Sequence, residues 1–347
     1  MKTIPDLPDE LILHILEEVH PDDLGSFSQT CRHIHGCARG HVKKHRELEH
    51  QYSEVVLRWS EPDSDDHAYH FRHPIFLLEK IWNEPMLAHH IKRFEVNGSD
   101  MVMPPYASSE EEALDLDIME QVQSTLAKCR NTQGCLTGLQ PPHVQVYGDT
   151  IQWLDLFQNG DRGASFTTLL SSLSSLQCLQ INDFIFNNRL DVYHFDEAIR
   201  SLPQLHTIEL YTLYEDPETS IQDLLGFSLF PNIRHLKGRQ LNCMLFDEEW
   251  LDCFLEEVYY EVSNVKSIEI TLGFGNFALL LAMKDRFVHL THLRISFERR
   301  EIFDVFALVQ ELREAFCGQL KSLALISSTR PVDEACTFRD FKVKPGL

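Results

Sequence analysis

The densest group of side chains able to do chemistry is His67, His70 and His73, spaced three residues apart, with Asp65 and Asp66 just before them. Imidazole nitrogens bind zinc, and carboxylates complete or orient such a site. No cysteine lies nearby, the stretch comes after a polar acidic run, and Pro74 closes it, so it reads as a solvated connector. A second group, His33, Cys37, His41 and His45, recurs every four residues. That spacing lines one stripe of a helix and imitates a metal face. Lys43, Lys44 and Arg46 read as solvent-facing there, and neither group is expected to hold a metal. The glycine-rich phosphate loop, the dinucleotide-binding glycine triplet, the paired-histidine zinc helix and the serine nucleophile elbow are all missing. Gly273-Phe274-Gly275 lacks a third glycine and reads as a turn. Serines, histidines and acids are not grouped as a triad. No catalytic residue and no cofactor is expected.

Composition narrows the field further. The 347 residues suit two domains or one extended repeat array. Acids outnumber bases 53 to 31, for a net charge of −22. Residues 60–125 alone hold 14 acids against 4 bases. A phosphate backbone requires Lys and Arg to displace counterions, so no nucleic-acid partner is expected. Such acidity suits a basic protein partner, but its simpler reading is a soluble surface. The longest apolar run, residues 277–283, falls far short of the roughly 20 residues that span a bilayer. Asp6, Asp9 and Glu10 stand where a signal peptide needs bases and then an apolar run. No membrane partner is expected, and the nine cysteines, with no CxxC pair, read as reduced thiols. The sequon at Asn97 is then silent, and the expected location is intracellular, in cytoplasm, nucleus or both.

The elements that must position any binding surface begin at the N-terminus. Pro8, with Asp9 and Glu10 behind it, marks a helix start, because proline fits the first turn and acids suit the positive end of the dipole. At helical pitch, Leu11, Ile12, Leu13, Ile15, Leu16 and Val19 sweep an arc of about 200°, wider than one buried face needs. His20-Pro21-Asp22-Asp23 breaks this helix and starts another, with Asp22 a candidate N-cap. Leu24, Phe27, Cys31, Ile34 and Ala38 continue at helical spacing. About 40 residues rarely stand alone without a partner or the rest of the chain.

LPDELILHIL, a short break, PDDL and then TCRHI resemble the F-box, the motif that docks its carrier on the Skp-type adaptor of a cullin–RING ubiquitin ligase. The resemblance covers about one eighth of the chain. It implies that Leu7 and Pro8 lie at the adaptor contact, and that Leu11, Ile15, Leu16 and Leu24 pack the helices and face the partner, with Phe27 and Ile34 beside them. Cys31 matches the usual cysteine, whereas Ile34 stands where many members have tryptophan, which implies a weaker contact. The alternative is an ordinary helical cap on the body. The stretch from His45 to Ser53 resembles the segment directly after the F-box in filamentous-fungal F-box proteins.

Beyond it, Leu48, Tyr52, Val55 and Val56 read as a surface-crossing helix, and Ser60 to Asp66 as an acidic connector. A second insert, residues 97–117, contains Pro104-Pro105 and Ser108-Ser109-Glu110-Glu111-Glu112. It suits an acid-directed kinase but reads first as a solvated loop.

Six apolar lines then recur: Leu176/Leu179/Ile181, Leu205/Ile208/Leu210, Ile233/Leu236/Gly238, Val265/Ile268/Ile270, Leu290/Leu293/Ile295 and Leu320/Leu323/Leu325. Their starts are 29, 28, 32, 25 and 30 residues apart. Ile91/Phe94/Val96 and Pro141/Val144/Val146 fit less regularly. Helix-period stretches lie between, as at Leu251 to Val258, Leu279 to Phe287 and Phe306 to Phe316. One strand and one helix per unit is the leucine-rich-repeat layout, in which units stack because neither apolar face can be buried alone. The asparagine usual three positions past the last apolar residue is replaced by Phe184, Leu213, Leu241, Gly273, Glu298 and Ser328. The turns are therefore expected to be irregular.

The expected fold is α/β: an F-box over 1–50, a helical linker with acidic connector over 51–90, a degenerate leucine-rich-repeat solenoid over 91–326, and a tail over 327–347. An F-box leading into such repeats resembles the F-box/leucine-rich-repeat substrate receptors. That resemblance implies a non-catalytic receptor that binds the Skp-type adaptor, and through it a cullin–RING ligase, and presents an unidentified target protein. The default target contacts are side chains read as exposed on the strand lines: Gln177, Gln180, His206, Glu209, Arg234, Lys237, Lys266, Glu269 and Arg294. An interaction scaffold outside ubiquitination, and a repeat-fold enzyme or inhibitor, are the rival readings.

Overall fold

The computed structural model describes residues 4, 7–58, 69–97, 120–126, 162–182, 195–211, 221–239, 262–272, 280–281, 283–298, 310–312, 314–316 and 319–328. Three helices open the chain: α1 (Asp9–Glu18), α2 (Pro21–Ser28) and α3 (Arg32–Tyr52). Helix α1 starts one residue past Pro8, with Asp9 and Glu10 in its first turn. The cap of α2 is His20, not Asp22: its imidazole accepts the Asp22 N–H at 3.3 Å, while Pro21 fills the first helical position. Cys31 caps α3, its Sγ accepting the Ile34 N–H.

Ile12, Leu16, Leu24, Ile34 and Ala38 form a small core of their own, separate from the main one. Helix α3, about 30 Å long at 1.5 Å per residue, joins the two. Its first half packs into the small core, whereas Leu48 and Tyr52 enter the large one.

The segment expected as a helical linker holds two strands, β1 (Glu54–Leu57) and β2 (Tyr69–Phe71), ahead of α4 (Pro74–Asn83) and the 3-10 turn Pro85–His89. Val55 and Val56 belong to β1 and are buried, because β-branched residues just past a helix end suit a pleated surface. The chain continues with β3 (Arg93–Asn97), β4 (Cys178–Asn182), β5 (Thr207–Tyr211), β6 (His235–Arg239), β7 (Ser267–Leu272), β8 (His292–Glu298) and β9 (Ser322–Ser328). These nine form one sheet in the order β2-β1-β3-β4-β5-β6-β7-β8-β9, parallel throughout. From β3 onward, spatial order equals sequence order.

The apolar lines fall into register. Phe94, Leu179, Ile208, Leu236, Ile268, Leu293 and Leu323 are successive partners, and so are Val96, Ile181, Leu210, Gly238, Ile270, Ile295 and Leu325. The line at Pro141 and the stretch at Leu251 lie outside the described residues. Helix residues close the same core, and Phe94, Phe166, Phe195 and Phe227 succeed one another at ring separations of 6.0, 6.1 and 6.3 Å. At each strand entry one carbonyl accepts two amides of the next strand's entry: Lys92 O from Gln177 and Cys178, Gln177 O from His206 and Thr207, His206 O from Arg234 and His235. The pattern repeats at Arg234, Lys266 and Thr291. This backbone fork satisfies the polar groups where each strand begins.

The described members of the two histidine groups have separate partners, apart from His33 and Cys37, which share Asp9. His67 lies outside the described residues and His70 sits in β2, while His73 is fully buried and caps α4 by accepting the Ile75 N–H at 3.2 Å. At His73 a buried helix cap stands where a solvated side chain is expected. On α3, His33 meets Asp9 at 2.6 Å, whereas His45 turns to His90 at 2.9 Å.

Candidate functional site

Two surfaces emerge. The first is on the N-terminal module. Its amphipathic arc exceeds what the small core can cover, and the surplus faces outward: Leu11 is 50% exposed and Leu13 38%, with Ile4, ahead of the helix, at 49%. These are three of the five exposed large apolar residues among those described; the others, Val262 and Val288, stand apart. Pro8 is exposed between them, and Leu7, Ile15 and Phe27 are half-buried. Leu16, Leu24 and Ile34 are buried inside the module. As buried side chains they set the spacing of α1, α2 and α3, and they do not present themselves to a partner. Leu13 was visible in the helical arc, but Ile4 precedes any periodic signal. Asp9, His33 and Cys37 bring one ligand-type atom each within 4.8 Å of one another. In the structure this group pins the start of α1 to α3 through the Asp9–His33 bond.

The module is braced against the sheet. Asp22 of α2 lies 3.8 Å from Lys92, Lys44 pairs with Glu84 at 2.6 Å, and His20 meets His89 at 3.2 Å. His90 is the most buried member of this junction. Burial, reinforced by the charges of His45, Lys92 and His89, pulls its imidazole down to about 4 from its ordinary 6.5, against the opposing pull of Asp22. Unfolding returns the ring to 6.5, so between pH 6.5 and 4 the unfolded chain binds the proton first and stability falls as pH falls. We expect thermal melts to show a loss on the order of 2 kcal/mol over that range. His90→Gln should flatten the slope, and an unchanged slope would remove His90 from the cause.

The second surface is the sheet face opposite the helices. At its centre Glu209 is 1% exposed. Arg93 donates to its Oε2 at 2.6 Å, Tyr211 donates to the same oxygen at 3.0 Å, and Lys237 donates to Oε1 at 2.6 Å. Burial alone would raise this carboxyl, but the bonds from Arg93 and Lys237 outweigh it and hold the group at about 2. Arg93 also reaches Glu54 at 3.0 Å, Cys178 Sγ at 3.4 Å and Gln180. Burial, together with the charge of Glu209, pushes the Cys178 thiol up to about 12.

Glu209 and Gln180 were expected to be exposed and are buried, because the cations on either side fold over them. Gln177, Arg234, Lys237 and Glu269 are half-exposed, and His206, Lys266 and Arg294 are exposed. Arg294 lies 3.6 Å from Glu269. The sequence pointed to Glu209 and Lys237 at equivalent positions of adjacent lines but not to Arg93, which is 116 residues from Glu209.

A family model described as F-box-like matches residues 4–45. The chain carries an F-box-like domain. Its limits enclose α1, α2 and about the first two-thirds of α3, including the part that has its own core and the outward Ile4, Leu11 and Leu13. An F-box domain is the adaptor-binding element of SCF-type substrate receptors generally, and such proteins are typically non-catalytic. It implies a Skp-type adaptor within a cullin ligase as partner. No curated protein matches the chain. Among the described residues, no helix is long and apolar enough to cross a membrane.

Proposed function

We infer that this protein is a substrate-recognition subunit of an SCF-type ubiquitin ligase. The F-box-like domain holds the Skp-type adaptor through Ile4, Leu7, Pro8, Leu11, Leu13 and Ile15, and a degenerate leucine-rich-repeat solenoid presents a target protein. The observation that carries the reading is the pairing of an F-box-like domain that keeps three large apolar side chains uncovered with seven parallel strands in sequence order. One strand per unit, in register and with helices on one face, is what stacked repeats produce. Gln177, His206, Arg234, Lys237, Lys266, Glu269 and Arg294 offer the target contacts, with Gln180 and Glu209 holding their neighbours in place.

Function on this reading is proximity. Binding energy from two sites on one chain raises the effective concentration of target lysines beside the ubiquitin-loaded enzyme, while the chemistry belongs to other subunits.

The test is to purify the tagged chain from cells and assay the recovered proteins for adaptor and neddylated cullin. Recovery of both is the expected result. Adaptor without neddylated cullin would place the protein outside ubiquitination, as a scaffold, and recovery of neither would end the adaptor reading.

A further inference from the structure

The residues at the strand entries form a row that is basic in an acidic chain. The backbone forks align Lys92, Gln177, His206, Arg234, Lys266, Thr291 and Lys321 side by side, and none is acidic although the net charge is −22. His206, Lys266 and Lys321 are exposed and Arg234 is half-exposed. Among the described residues Lys266 and Lys321 make no ion pair. The adjoining register row adds His235 and His292, and from β4 onward it too contains no acid. From β3 onward the next acids lie two residues further along the strands, and each is already committed: Glu95 to Arg58 at 3.6 Å, Glu209 to Arg93 and Lys237, Glu269 to Arg294 at 3.6 Å. The rim therefore presents positive charge that its own sheet does not neutralise.

Gln177, Pro203, Gln204, His206, Pro231, Asn232 and Arg234 line a shallow depression of about 640 Å³ beside this row. Pro203 and Pro231 at its edge donate no amide, and the side chains of Gln177, Gln204, His206, Asn232 and Arg234 supply polar groups there.

We propose that this strand-entry rim is a docking site for an Asp/Glu-rich segment of a protein partner, lying across the strands along His206, Arg234, Lys266 and Lys321. The proposal rests on the receptor reading and names the chemistry of its target. Neighbouring strands are about 4.8 Å apart, so from β5 to β9 the rim spans about 19 Å, the length of about six extended residues. Carboxylates of such a segment meet Arg234, Lys266 and Lys321, and His206, Gln177, Gln204 and Thr291 offer it neutral hydrogen-bonding partners. A nucleic acid fits less well, because from β5 to β9 the row holds only three Lys or Arg side chains, Arg234, Lys266 and Lys321, too few to displace many counterions from a phosphate backbone.

Fluorescence anisotropy of the full-length chain with a labelled twelve-residue peptide carrying six glutamates tests this. The glutamate peptide should bind at least about tenfold more tightly than its glutamine counterpart, a margin of about 1.4 kcal/mol. Raising the salt should weaken it, as for exposed charges. Arg234→Glu/Lys266→Glu should cost about tenfold or more, whereas Lys43→Glu/Arg46→Glu on the exposed side of α3 should leave binding unchanged. Equal binding of the two peptides, or unchanged binding by the rim variant, would overturn the proposal. So would binding only of a phosphoserine peptide, or tighter binding of a twelve-nucleotide single-stranded RNA that the rim variant abolishes. Adaptor retention by the parent chain, measured in parallel, separates the outcomes: its absence indicts the receptor reading, and its presence isolates a failure to the rim.

Discussion

Leu11→Asp/Leu13→Asp should abolish adaptor binding, by about a hundredfold or more, while leaving the melting temperature of the chain within about 2 °C. Both side chains are already substantially in water, at 50% and 38% exposure, so the folded chain loses little when they change. At an interface the same positions become buried. Moving the remaining exposed part of each Leu side chain into a dry contact contributes about 1 kcal/mol each, and an unpaired carboxylate placed there adds a desolvation cost of a few kcal/mol. Together these exceed the roughly 2.7 kcal/mol that corresponds to a hundredfold. Ile12→Asp is the contrasting variant: fully buried between helices in a core of five residues, it should unfold the domain and lose binding by that route. Calorimetric titration of a purified Skp-type adaptor, paired with thermal melts, separates the two. A Leu11/Leu13 variant that binds as tightly as the parent would move the contact elsewhere.

The second large effect is at Glu209. Its folded carboxyl, held at about 2 against an ordinary 4.5, makes the ionised form the stable partner of the fold. Stability from this group is fully present above pH 4.5 and is lost as pH falls through the window from 4.5 toward 2, because the unfolded chain takes up the proton first. Glu209→Gln keeps the shape but removes the charge that Arg93 and Lys237 both address. Breaking a buried pair costs 3–5 kcal/mol when the orphaned charge stays buried. Here the Arg93 and Lys237 side chains are 31% and 40% exposed and regain water, so about 2–3 kcal/mol is expected. Thermal and urea unfolding should show the loss at pH 7 and a flatter acid limb between pH 4.5 and 2. An unchanged midpoint would mean that the bonds to Glu209 are replaced by solvent at no cost.

The parts of this molecule that were legible beforehand are those governed by local periodicity. Lines such as Leu205/Ile208/Leu210 and Leu290/Leu293/Ile295 land in register because an inward-facing strand face requires apolar residues two apart. Even Gly238 keeps its place, since the flanking Leu236 fixes the strand. The F-box-like helices were legible through Pro8, the arc behind it and the Pro21 break. Strand β2 was hidden, because three residues, Tyr69, His70 and Phe71, carry no period and stand beside histidines that mimic a ligand set. Helix α3 blurred into β1, since Leu48, Tyr52 and Val55 continue at near-helical spacing across the junction.

Long-range electrostatics was the least visible layer. The exposed reading of Glu209 failed because its burial depends on Arg93, brought alongside only once the strands are stacked. The basic rim was likewise obscured by the chain's net charge, as its members are 28 to 32 residues apart from His206 to Lys266 and meet only through the sheet.

Hydrogen exchange of the full-length chain, with and without a purified Skp-type adaptor, tests the division of labour most directly. Added protection is expected to be confined to residues 4–45, strongest in α1, with β3 to β9 exchanging as in the free chain and left open for a target. Adaptor-induced protection on the strands, or none within residues 4–45, would contradict that division.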